Sequence, residues 1–229
     1  MTTPRKQALI IFAKRPVPGQ VKTRLVPPLT THEAARLYEC MLRDIVSRTA
    51  RLSGMDRLIF YTDEPDAAAY FRGIAPGVPL HPQRGSNLGE RMGNAFLTAF
   101  ANGYGAVAII GSDSPDLPLA CIEGAFDRLA EGNTDAVYGP SEDGGYYLIA
   151  LRRMHDELFR GIRWSRGDVL AKSLDKAVEA GIRVELLPGW YDVDRIEDLQ
   201  RPELRNGAND APLTREFIES SLGARGTGL

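Results

Sequence analysis

The sequence predicts one α/β domain whose sheet is mostly parallel, with helices on both faces and an attached antiparallel hairpin. Short apolar runs alternate along the chain with amphipathic stretches, and this alternation is typical of such a domain. The most regular run, Ala106–Ile110, ends at Gly111 and is followed by prolines. An apolar run this short, bounded by glycine and proline, is typical of a strand buried on both faces of a parallel sheet.

The composition is that of a protein with a substantial core and little net charge. Of the 229 residues, 43% are hydrophobic and 25% are charged, and the formal net charge is -2. The length fits one large α/β domain or two small ones, and we favour one. The net charge gives no indication of nucleic-acid binding or of attachment to a membrane surface, so we expect neither partner.

Two features favour a cytoplasmic protein. Cys40 and Cys121 lie far apart and in no paired motif, which is compatible with a reducing compartment. The first apolar run, Ala8–Ala13, is too short for a signal peptide with a cleavage site. No run approaches the ~20 apolar residues of a membrane span.

Strands are predicted where short apolar runs end at glycine, proline or polar residues. They are Ala8–Ala13, Arg57–Thr62, Val78–Leu80, Ala106–Ile110, Ala136–Gly139, Tyr146–Leu151 and Arg183–Leu187. The link between the fifth and sixth strands is too short for a crossover helix, so these two are predicted to form an antiparallel hairpin.

Helices are predicted where apolar residues recur at helical spacing between capping residues. The clearest begins at Thr30, which forms a capping box with Glu33, and extends to about Ser53. The others are Pro65–Phe71, one that ends near Asn102, Leu119–Ala130, Arg153–Phe159, Asp168–Ala180 and Leu213–Leu222. We expect the domain to span residues 1–205 and an extension with a short helix and a mobile end to span 206–229.

A basic loop follows the first predicted strand. Its four cations are Lys14, Arg15, Lys22 and Arg24. Pro16 and Pro18 limit the freedom of this loop, and Gly19 permits a tight turn. Cations at the carboxyl end of a first strand are suited to a polyphosphate. An ordinary solvated loop is the alternative interpretation.

Acidic residues follow two other predicted strands. Asp113 follows the strand at Ala106–Ile110, and Asp192 and Asp194 follow the last strand. Because a wound parallel sheet brings the carboxyl ends of its strands to one edge, these acids and the basic loop are expected to meet. Carboxylates that hold Mg²⁺ beside cations form the arrangement that polyphosphate chemistry needs. The alternative is that the acids cap the helices that follow them.

Two further polar segments are candidates for the remaining parts of a site. The link from Gln83 to Met92 carries amide, hydroxyl and guanidinium groups to a helix start, where they are suited to a nucleobase or an anion. In the predicted hairpin, Gly144 and Gly145 permit a close approach to a ligand, and Asp143 is placed for an acceptor hydroxyl or a metal. Ordinary turns are the alternative for both segments.

These motifs, taken in order, resemble one bacterial family. They are Phe-Ala-Lys-Arg-Pro-Val-Pro-Gly-Gln-Val-Lys-Thr-Arg-Leu, Gly-Ser-Asp-Ser-Pro-Asp-Leu-Pro, Gly-Pro-Ser-Glu-Asp-Gly-Gly-Tyr-Tyr, Trp-Ser and Asp-Val-Asp. From Ala8 to Leu199 the chain is similar to the group labelled glycosyltransferase, or radical-SAM/selenodomain-associated transferase. The resemblance implies the GT-A fold of nucleotide-sugar glycosyltransferases and nucleotidylyltransferases. Lys-Thr-Arg-Leu and Asp-Val-Asp are also similar to motifs of the 2-phospho-lactate guanylyltransferases.

The resemblance implies roles for particular residues. The implied ligands of Mg²⁺, or of Mn²⁺ in its place, are Asp113, Asp192 and Asp194. The implied phosphate-binding residues are Lys14, Lys22 and Arg24. Arg195 and Ile196 stand where such relatives commonly have Thr-Pro, a change that leaves the acids untouched. Asp116 is too far along the chain from Asp113 for a strict Asp-x-Asp motif, and its role is open.

The predicted site therefore has three parts. The residues expected to bind the nucleotide are Ala13, Lys14, Arg15, Gly19, Lys22, Thr23, Arg24, Gln83, Gly85, Asn87, Leu88, Ser112 and Asp113. Those expected to bind the acceptor are Glu142, Asp143, Gly144, Gly145, Trp164 and Ser165. Those expected to act in catalysis are Lys22, Arg24 and Asp143.

The predicted function is a magnesium-dependent transfer from a nucleotide-activated substrate to a small-molecule acceptor. The family resemblance narrowly favours a glycosyltransferase that uses a nucleotide-diphospho-sugar. The basic loop instead favours a nucleotidylyltransferase that moves a nucleoside monophosphate to a phosphorylated or carboxylate acceptor and releases pyrophosphate. A non-catalytic nucleotide-binding module is the alternative of another class. The sequence leaves the oligomeric state open.

Overall fold

The computed structural model describes residues 6–164 and 166–223. The strands are β1 (Gln7–Ala13), β2 (Met55–Tyr61), β3 (Leu80–Pro82), β4 (Ala106–Ile110), β5 (Ala136–Pro140), β6 (Tyr146–Leu151) and β7 (Val184–Leu186). The α-helices are α1 (Thr31–Thr49), α2 (Ala67–Ile74), α3 (Leu88–Ala101), α4 (Leu119–Ala130), α5 (Val169–Glu179), α6 (Pro202–Arg205) and α7 (Pro212–Gly223). Short 3-10 turns lie at Thr23–Leu25, Asp156–Phe159 and Ile196–Gln200.

These strands form one sheet in the order β3-β2-β1-β4-β6-β5-β7. β6 runs antiparallel to β4 and β5, and the other pairings between the described strands are parallel. The predicted α/β class, with a mostly parallel sheet and an antiparallel hairpin, is confirmed. Since β1 and β4 are parallel neighbours, the basic loop after β1 and the acidic loop after β4 leave the sheet at the same edge.

β1 shows how the sheet separates two apolar layers. Leu9 and Ile11 pack with α1, α2 and α4, whereas Ile10 packs on the other face with α3 and α5. This follows from the alternation of side chains along a strand. Every residue of β4 is buried, as expected for a central strand covered on both faces.

The C-terminal helix packs against α1. Phe217 joins an apolar cluster beneath α1, and the carboxylate of Asp44 accepts a hydrogen bond from the backbone N–H of Thr214 at 2.8 Å. A carboxylate at this position satisfies a free N–H group of the first turn of α7. The part of the predicted extension at 206–223 therefore packs on the domain. The predicted mobile end, residues 224–229, lies outside the described residues.

Most predicted elements are present, with differences at their ends. The capping box of Thr30 and Glu33 forms as predicted at the start of α1. The helix ends at Thr49 rather than near Ser53. Its last turn tightens there, because the N–H groups of residues 50–52 donate to carbonyls three residues back instead of four.

Two short elements differ more. β3 comprises Leu80–Pro82 rather than Val78–Leu80, because the N–H of Val78 donates to the carbonyl of Ala75 in a turn that closes α2. The helix predicted at residues 153–159 is reduced to a 3-10 turn at Asp156–Phe159. None of the helices in residues 6–164 and 166–223 has the length and apolar character needed to cross a bilayer.

A buried acid joins β5 to the segment before β7. The side chain of Asp135 is 5% exposed and accepts hydrogen bonds from Arg152 Nη2 at 2.6 Å and Arg183 Nε at 2.9 Å. The hydrogen bonds from Arg183, followed by those from Arg152, hold the pKa of Asp135 below its ordinary value despite its burial. The pairs thus stabilise the fold above the unfolded-state pKa, about 3.9, and this stabilisation is lost as the pH falls further.

We predict that Asp135→Ala lowers the free energy of unfolding at pH 7 by about 1–2 kcal/mol, because Arg152 and the half-exposed Arg183 lose the carboxylate to which they are hydrogen-bonded. Urea unfolding measures this loss, and the difference from the wild type should shrink when the pH is lowered below about 4. Asp175→Ala is the control, since Asp175 makes an exposed pair with Lys172 at 3.3 Å. A similar loss of unfolding free energy in both variants would contradict the stabilising role of the Asp135 pairs.

Candidate active site

A cavity of about 1000 Å³ opens at the edge of the sheet where β1 and β4 end. Its walls come from the loops after β1, β4 and β5, from the start of α3, and from the segment after β7. Open α/β sheets bind their ligands at this edge. A cavity of this size accommodates a nucleotide.

Tyr38 of α1 links the ends of β1 and β4 at the base of the cavity. Its hydroxyl accepts a hydrogen bond from the N–H of Lys14 at 3.1 Å and shares one with the Oγ of Ser112 at 2.7 Å. Burial, with the charge of Asp113, raises the pKa of Tyr38 to about 12. The phenol therefore stays protonated near neutral pH, and it fixes the spacing between the basic and acidic loops.

Lys22 directs its ammonium group into the acidic part of the cavity. The residue has a φ of 48°, in the left-handed region that non-glycine residues seldom adopt. Its side chain is 4% exposed. The Nζ atom donates hydrogen bonds to Asp113 Oδ1, to the carbonyl of Val193 at 2.6 Å and to Asp194 Oδ1 at 2.9 Å. The basic loop therefore meets both acidic segments.

Charge governs the protonation of this cluster. Burial disfavours the charged form of Lys22, but Asp113 and Asp194 outweigh it and raise the pKa of Lys22 above its ordinary value. Burial also acts to raise the pKa of Asp194, yet Lys22 and Arg24 reverse this effect, and the pKa of Asp194 lies below its ordinary value. At neutral pH Lys22 is positive and Asp194 is negative.

Asp192 lies in the same cavity and forms no ion pair within the described residues. Its carboxylate accepts hydrogen bonds from Ser114 Oγ at 2.9 Å and from Ser141 Oγ. Burial, with the nearby charges of Asp113 and Asp143, raises the pKa of Asp192 to about 6. A bound cation would favour the charged form of Asp192 and so offset the effects of burial and of the neighbouring negative charges on its pKa.

The donor set at this edge fits a hard divalent cation. Asp113, Asp192 and Asp194 offer carboxylate oxygens, the ligands that Mg²⁺ and Mn²⁺ prefer. Across residues 6–164 and 166–223, no three His, Cys, Asp or Glu side chains already surround a common metal position. The ammonium of Lys22 lies between Asp113 and Asp194 instead.

Asp116 supports the segment that carries Asp192. Its side chain is buried and accepts hydrogen bonds from the hydroxyl of Tyr191 and from Trp190 Nε1 at 3.3 Å. The guanidinium of Arg201 lies on the Tyr191 ring, 4.4 Å from its centroid. Because Trp190 and Tyr191 directly precede Asp192, the structure gives Asp116 a positioning role.

Two glycines allow a further wall to approach the cavity. A Cβ at Gly144 would lie 2.0 Å from the carbonyl oxygen of Gly167, and one at Gly89 would lie 2.5 Å from the indole of Trp164. Gly144 also has a φ of 86°. Its carbonyl accepts a hydrogen bond from the N–H of Leu170 at 3.0 Å. The chain around Trp164 therefore rests on the β5–β6 loop and on the first turn of α3.

The cavity contains most of the predicted nucleotide-binding residues. Those that line it are Ala13, Lys14, Lys22, Thr23, Arg24, Gln83, Leu88, Ser112 and Asp113. Those placed elsewhere are Arg15, Gly19, Gly85 and Asn87. The backbone N–H of Arg15 donates to Glu64 at 3.3 Å, and Asn87 caps α3 by accepting from the N–H of Glu90 at 3.0 Å. Asn87 thus caps α3, a role that the spacing of Asn87 and Glu90 indicates and that the nucleobase interpretation overlooked.

The predicted acceptor side is also largely in the cavity. Four predicted acceptor-binding residues line the cavity: Glu142, Asp143, Gly145 and Trp164. The predicted metal ligands Asp192 and Asp194 line it as well. Gly144 supports the neighbouring segment instead of the cavity surface. Ser165 lies outside the described residues. Glu142 is paired with Arg201 at 2.6 Å. Asp143 has no ion pair within the described structure, and its Oδ1 accepts a hydrogen bond from the N–H of Gly145 at 2.8 Å.

Sequence reasoning missed several residues that line the cavity. They are Tyr38, Arg91, Arg166, Tyr191, Arg195 and Arg201. The side chain of Arg166 is exposed and makes no hydrogen bond or ion pair with the part of the chain that the structure describes. Its position two residues after Trp164 is the only signal the sequence offers. Tyr38 is a polar aromatic residue beside the apolar stripe of α1, and this pattern is as weak an indication of a cavity residue as the position of Arg166.

Comparisons with known proteins agree with this geometry. A guanylyltransferase from Conexibacter woesei, named phosphoenolpyruvate guanylyltransferase, is 26% identical over 217 residues, which cover 88% of this chain and 91% of that protein. A crystal structure from Desulfovibrio desulfuricans G20, described as a nucleotide-diphospho-sugar transferase, is 35% identical. It covers 93% of this chain and 97% of its own, with a TM-score of 0.83.

A more distant structure shares the fold alone. Glucosyl-3-phosphoglycerate synthase from Mycobacterium tuberculosis, in complex with Mn²⁺, UDP and glucosyl-3-phosphoglycerate, has a TM-score of 0.54 and 12% identity. The similarity covers 96% of this chain and 80% of that one. The same architecture thus serves both nucleotidyl and glycosyl transferases.

The fold, the cavity and these relatives define a nucleotide-dependent transferase. Residues 45–166 match the family described as "Uncharacterized protein conserved in bacteria (DUF2064)". The chain belongs to this family, and its suspected kinship with transferases of the nucleotide-diphospho-sugar type is confirmed.

We predict that Gly89→Ala displaces the indole of Trp164, because the added methyl group would overlap the ring. Overpacking of this kind lowers the free energy of unfolding by about 1–3 kcal/mol. Near-ultraviolet circular dichroism and thermal unfolding measure the two effects.

Gly93→Ala is the matched control on the same helix, since its added Cβ would meet Met154 Cε at an ordinary 3.5 Å. This variant should keep the aromatic spectrum and unfold no earlier than the wild type. An unchanged spectrum in Gly89→Ala would show that Trp164 does not lie on α3.

Proposed function

We propose that this protein is a nucleotidylyltransferase, which moves a nucleoside monophosphate from a nucleoside triphosphate to a small anionic acceptor. An acceptor oxygen forms a bond to the α-phosphorus, and the bond from that phosphorus to the bridging oxygen breaks. Pyrophosphate leaves with the electron pair. Mg²⁺ or Mn²⁺ is the proposed cofactor.

The observation that carries this proposal is the charge of the cavity beside β1. Lys14, Lys22 and Arg24 line one cavity with Asp113 and Asp194. Once a divalent ion takes the two carboxylates from Lys22, three cations at one strand end suit a triphosphate better than the less charged diphosphate ester of a nucleotide-sugar. The relative from Conexibacter woesei, whose name is that of a guanylyltransferase, supports the same choice over 88% of this chain.

The acceptor side also suits an anion. Arg166 lines the cavity, is exposed and has no side-chain partner among the described residues, and the next residue, Gly167, lies against Gly144 of the β5–β6 loop. An acceptor phosphate or carboxylate is already ionised at neutral pH, so its attack requires no general base. This agrees with a cavity whose lining holds no histidine among the described residues. Positioning and charge stabilisation then supply the catalysis.

Asp113 and Asp194 would hold the divalent ion, and Asp192 would add negative charge beside it. The ion, when bound, neutralises phosphate charge and polarises the phosphoryl group. Lys14 and Arg24 would bind the triphosphate oxygens, and Arg166 would orient the acceptor. Gln83 and Leu88, which line the same cavity, would contact the base of the nucleotide.

Glycosyl transfer from a nucleotide-diphospho-sugar is the second candidate. The sequence alone favoured it narrowly, and the structure from Desulfovibrio desulfuricans G20 carries that description at 35% identity. In this version Trp164, which is partly buried and lines the cavity, would stack on the sugar ring or its acceptor.

Pyrophosphate release separates the two reactions. The protein is incubated with Mg²⁺, each nucleoside triphosphate and a mixture of small phosphorylated and carboxylate metabolites. We expect pyrophosphate that depends on protein, metal and acceptor. Release of a nucleoside diphosphate from a nucleotide-sugar, with no pyrophosphate from any triphosphate, would favour glycosyl transfer.

We predict that Asp113→Asn slows the metal-dependent reaction by about 100-fold or more, because the ion loses a charged ligand. It should also abolish the extra increase in melting temperature that Mg²⁺ adds to nucleotide binding. Asp127→Asn, an identical change on the exposed face of α4, is the control and should behave as the wild type. An unchanged metal dependence in Asp113→Asn would contradict the proposed metal site.

A further inference from the structure

Lys22 has no bonding capacity left for a ligand. An ammonium group carries three N–H donors, and those of Lys22 are directed at Asp113 Oδ1, the Val193 carbonyl and Asp194 Oδ1. With its side chain 4% exposed, the group is also largely shielded from the cavity. In this arrangement Lys22 is a partner of the acids, not of a phosphate.

The same oxygens are those that a divalent ion would need. Mg²⁺ binds carboxylate oxygens at about 2.0–2.1 Å, closer than an ammonium group approaches. An ion between Asp113 and Asp194 would therefore occupy the position of the Lys22 ammonium. The two cations exclude each other, both by volume and by charge.

We propose that Lys22 is an internal counter-cation that closes the metal position until a polyphosphate draws its ammonium group away. The inference rests on the proposed function and adds to it an order of binding. The metal ion alone binds weakly, and a bound polyphosphate raises the affinity of the protein for the metal ion, as the metal ion does for the polyphosphate.

The charges around Lys22 explain why a phosphate is needed. A metal that displaced the ammonium alone would leave a positive group beside a divalent ion with no anion to receive it. A polyphosphate held by Lys14 and by the 63%-exposed Arg24 supplies that anion. Lys22 then exchanges carboxylate partners for phosphate oxygens, and the ion replaces it between the carboxylates.

The backbone can remain in place during this exchange. Val21 and Leu25 are buried on either side, and the N–H of Leu25 donates to the carbonyl of Lys22 at 3.0 Å. The flexible four-carbon stem of the lysine is long enough to redirect the ammonium group while its Cα stays fixed. The movement is therefore a change of side-chain rotamers.

The first test measures Mn²⁺ alone by electron paramagnetic resonance. The wild type should bind weakly, and Lys22→Met should bind about tenfold or more tightly, because the acids lose their internal cation. Lys14→Met is the matched control, an identical change in the same cavity without contact to the acids, and its Mn²⁺ affinity should stay near that of the wild type. No gain in Lys22→Met would overturn the inference.

Folding of the variant provides a second readout. Lys22→Met should unfold at a lower temperature than the wild type without metal and regain stability when Mn²⁺ is added. Lys22→Gln, also neutral, should behave in the same way, whereas Lys22→Arg keeps the positive charge and should not respond to Mn²⁺. Equal responses of the neutral and charged variants would contradict an exchange of cations.

The order of binding is tested by ¹⁵N resonances of the lysine ammonium groups, with inorganic tripolyphosphate as the probe. The Lys22 signal should stay unchanged with Mg²⁺ alone and shift when tripolyphosphate and Mg²⁺ are added together. A shift with Mg²⁺ alone would overturn the proposed order. Failure of every nucleotide to raise the melting temperature would instead count against the proposed function and leave the Mn²⁺ result on Lys22→Met intact.

Discussion

The contact of Lys22 with Asp113 and Asp194 is the interaction on which the site depends. It joins the loop after β1, the loop after β4 and the segment after β7, which are far apart in sequence. The Lys22 side chain is only 4% exposed, and the two half-exposed carboxylates supply the negative charge that a buried ammonium group needs. Lys22 thus balances the charge of the two acids, and a metal ion together with a phosphate can take over the same partners.

Other contacts keep this cluster in register with the sheet. Tyr38 fixes the spacing between the ends of β1 and β4 through Lys14 and Ser112. Asp116 holds the two aromatic residues before Asp192 through their polar groups. These hydrogen bonds between buried or partly buried groups hold the loops around Lys22 in place.

The sequence predicted the fold and most of the cavity because its signals are local or follow from topology. The unbroken apolar run of β4 indicated a buried central strand, and the wound sheet then placed the loops after β1, β4 and β7 at one edge. It did not predict that Lys22 bonds both acids, because such a contact depends on the left-handed backbone at Lys22 and on side-chain directions. The spacing of Asn87 and Glu90 indicated a helix cap, but the prediction gave Asn87 to the nucleotide. Arg166 in the cavity was missed because a lone arginine in a loop carries no signal of its own.

One diffraction measurement tests the central claim most directly. Crystals grown with Mn²⁺ and a non-hydrolysable nucleoside triphosphate would locate the metal by its anomalous scattering. The account predicts a manganese peak between the carboxylates of Asp113 and Asp194, with the Lys22 ammonium on a phosphate oxygen. A bound nucleotide with Lys22 still bonded to both carboxylates, and manganese elsewhere, would contradict it.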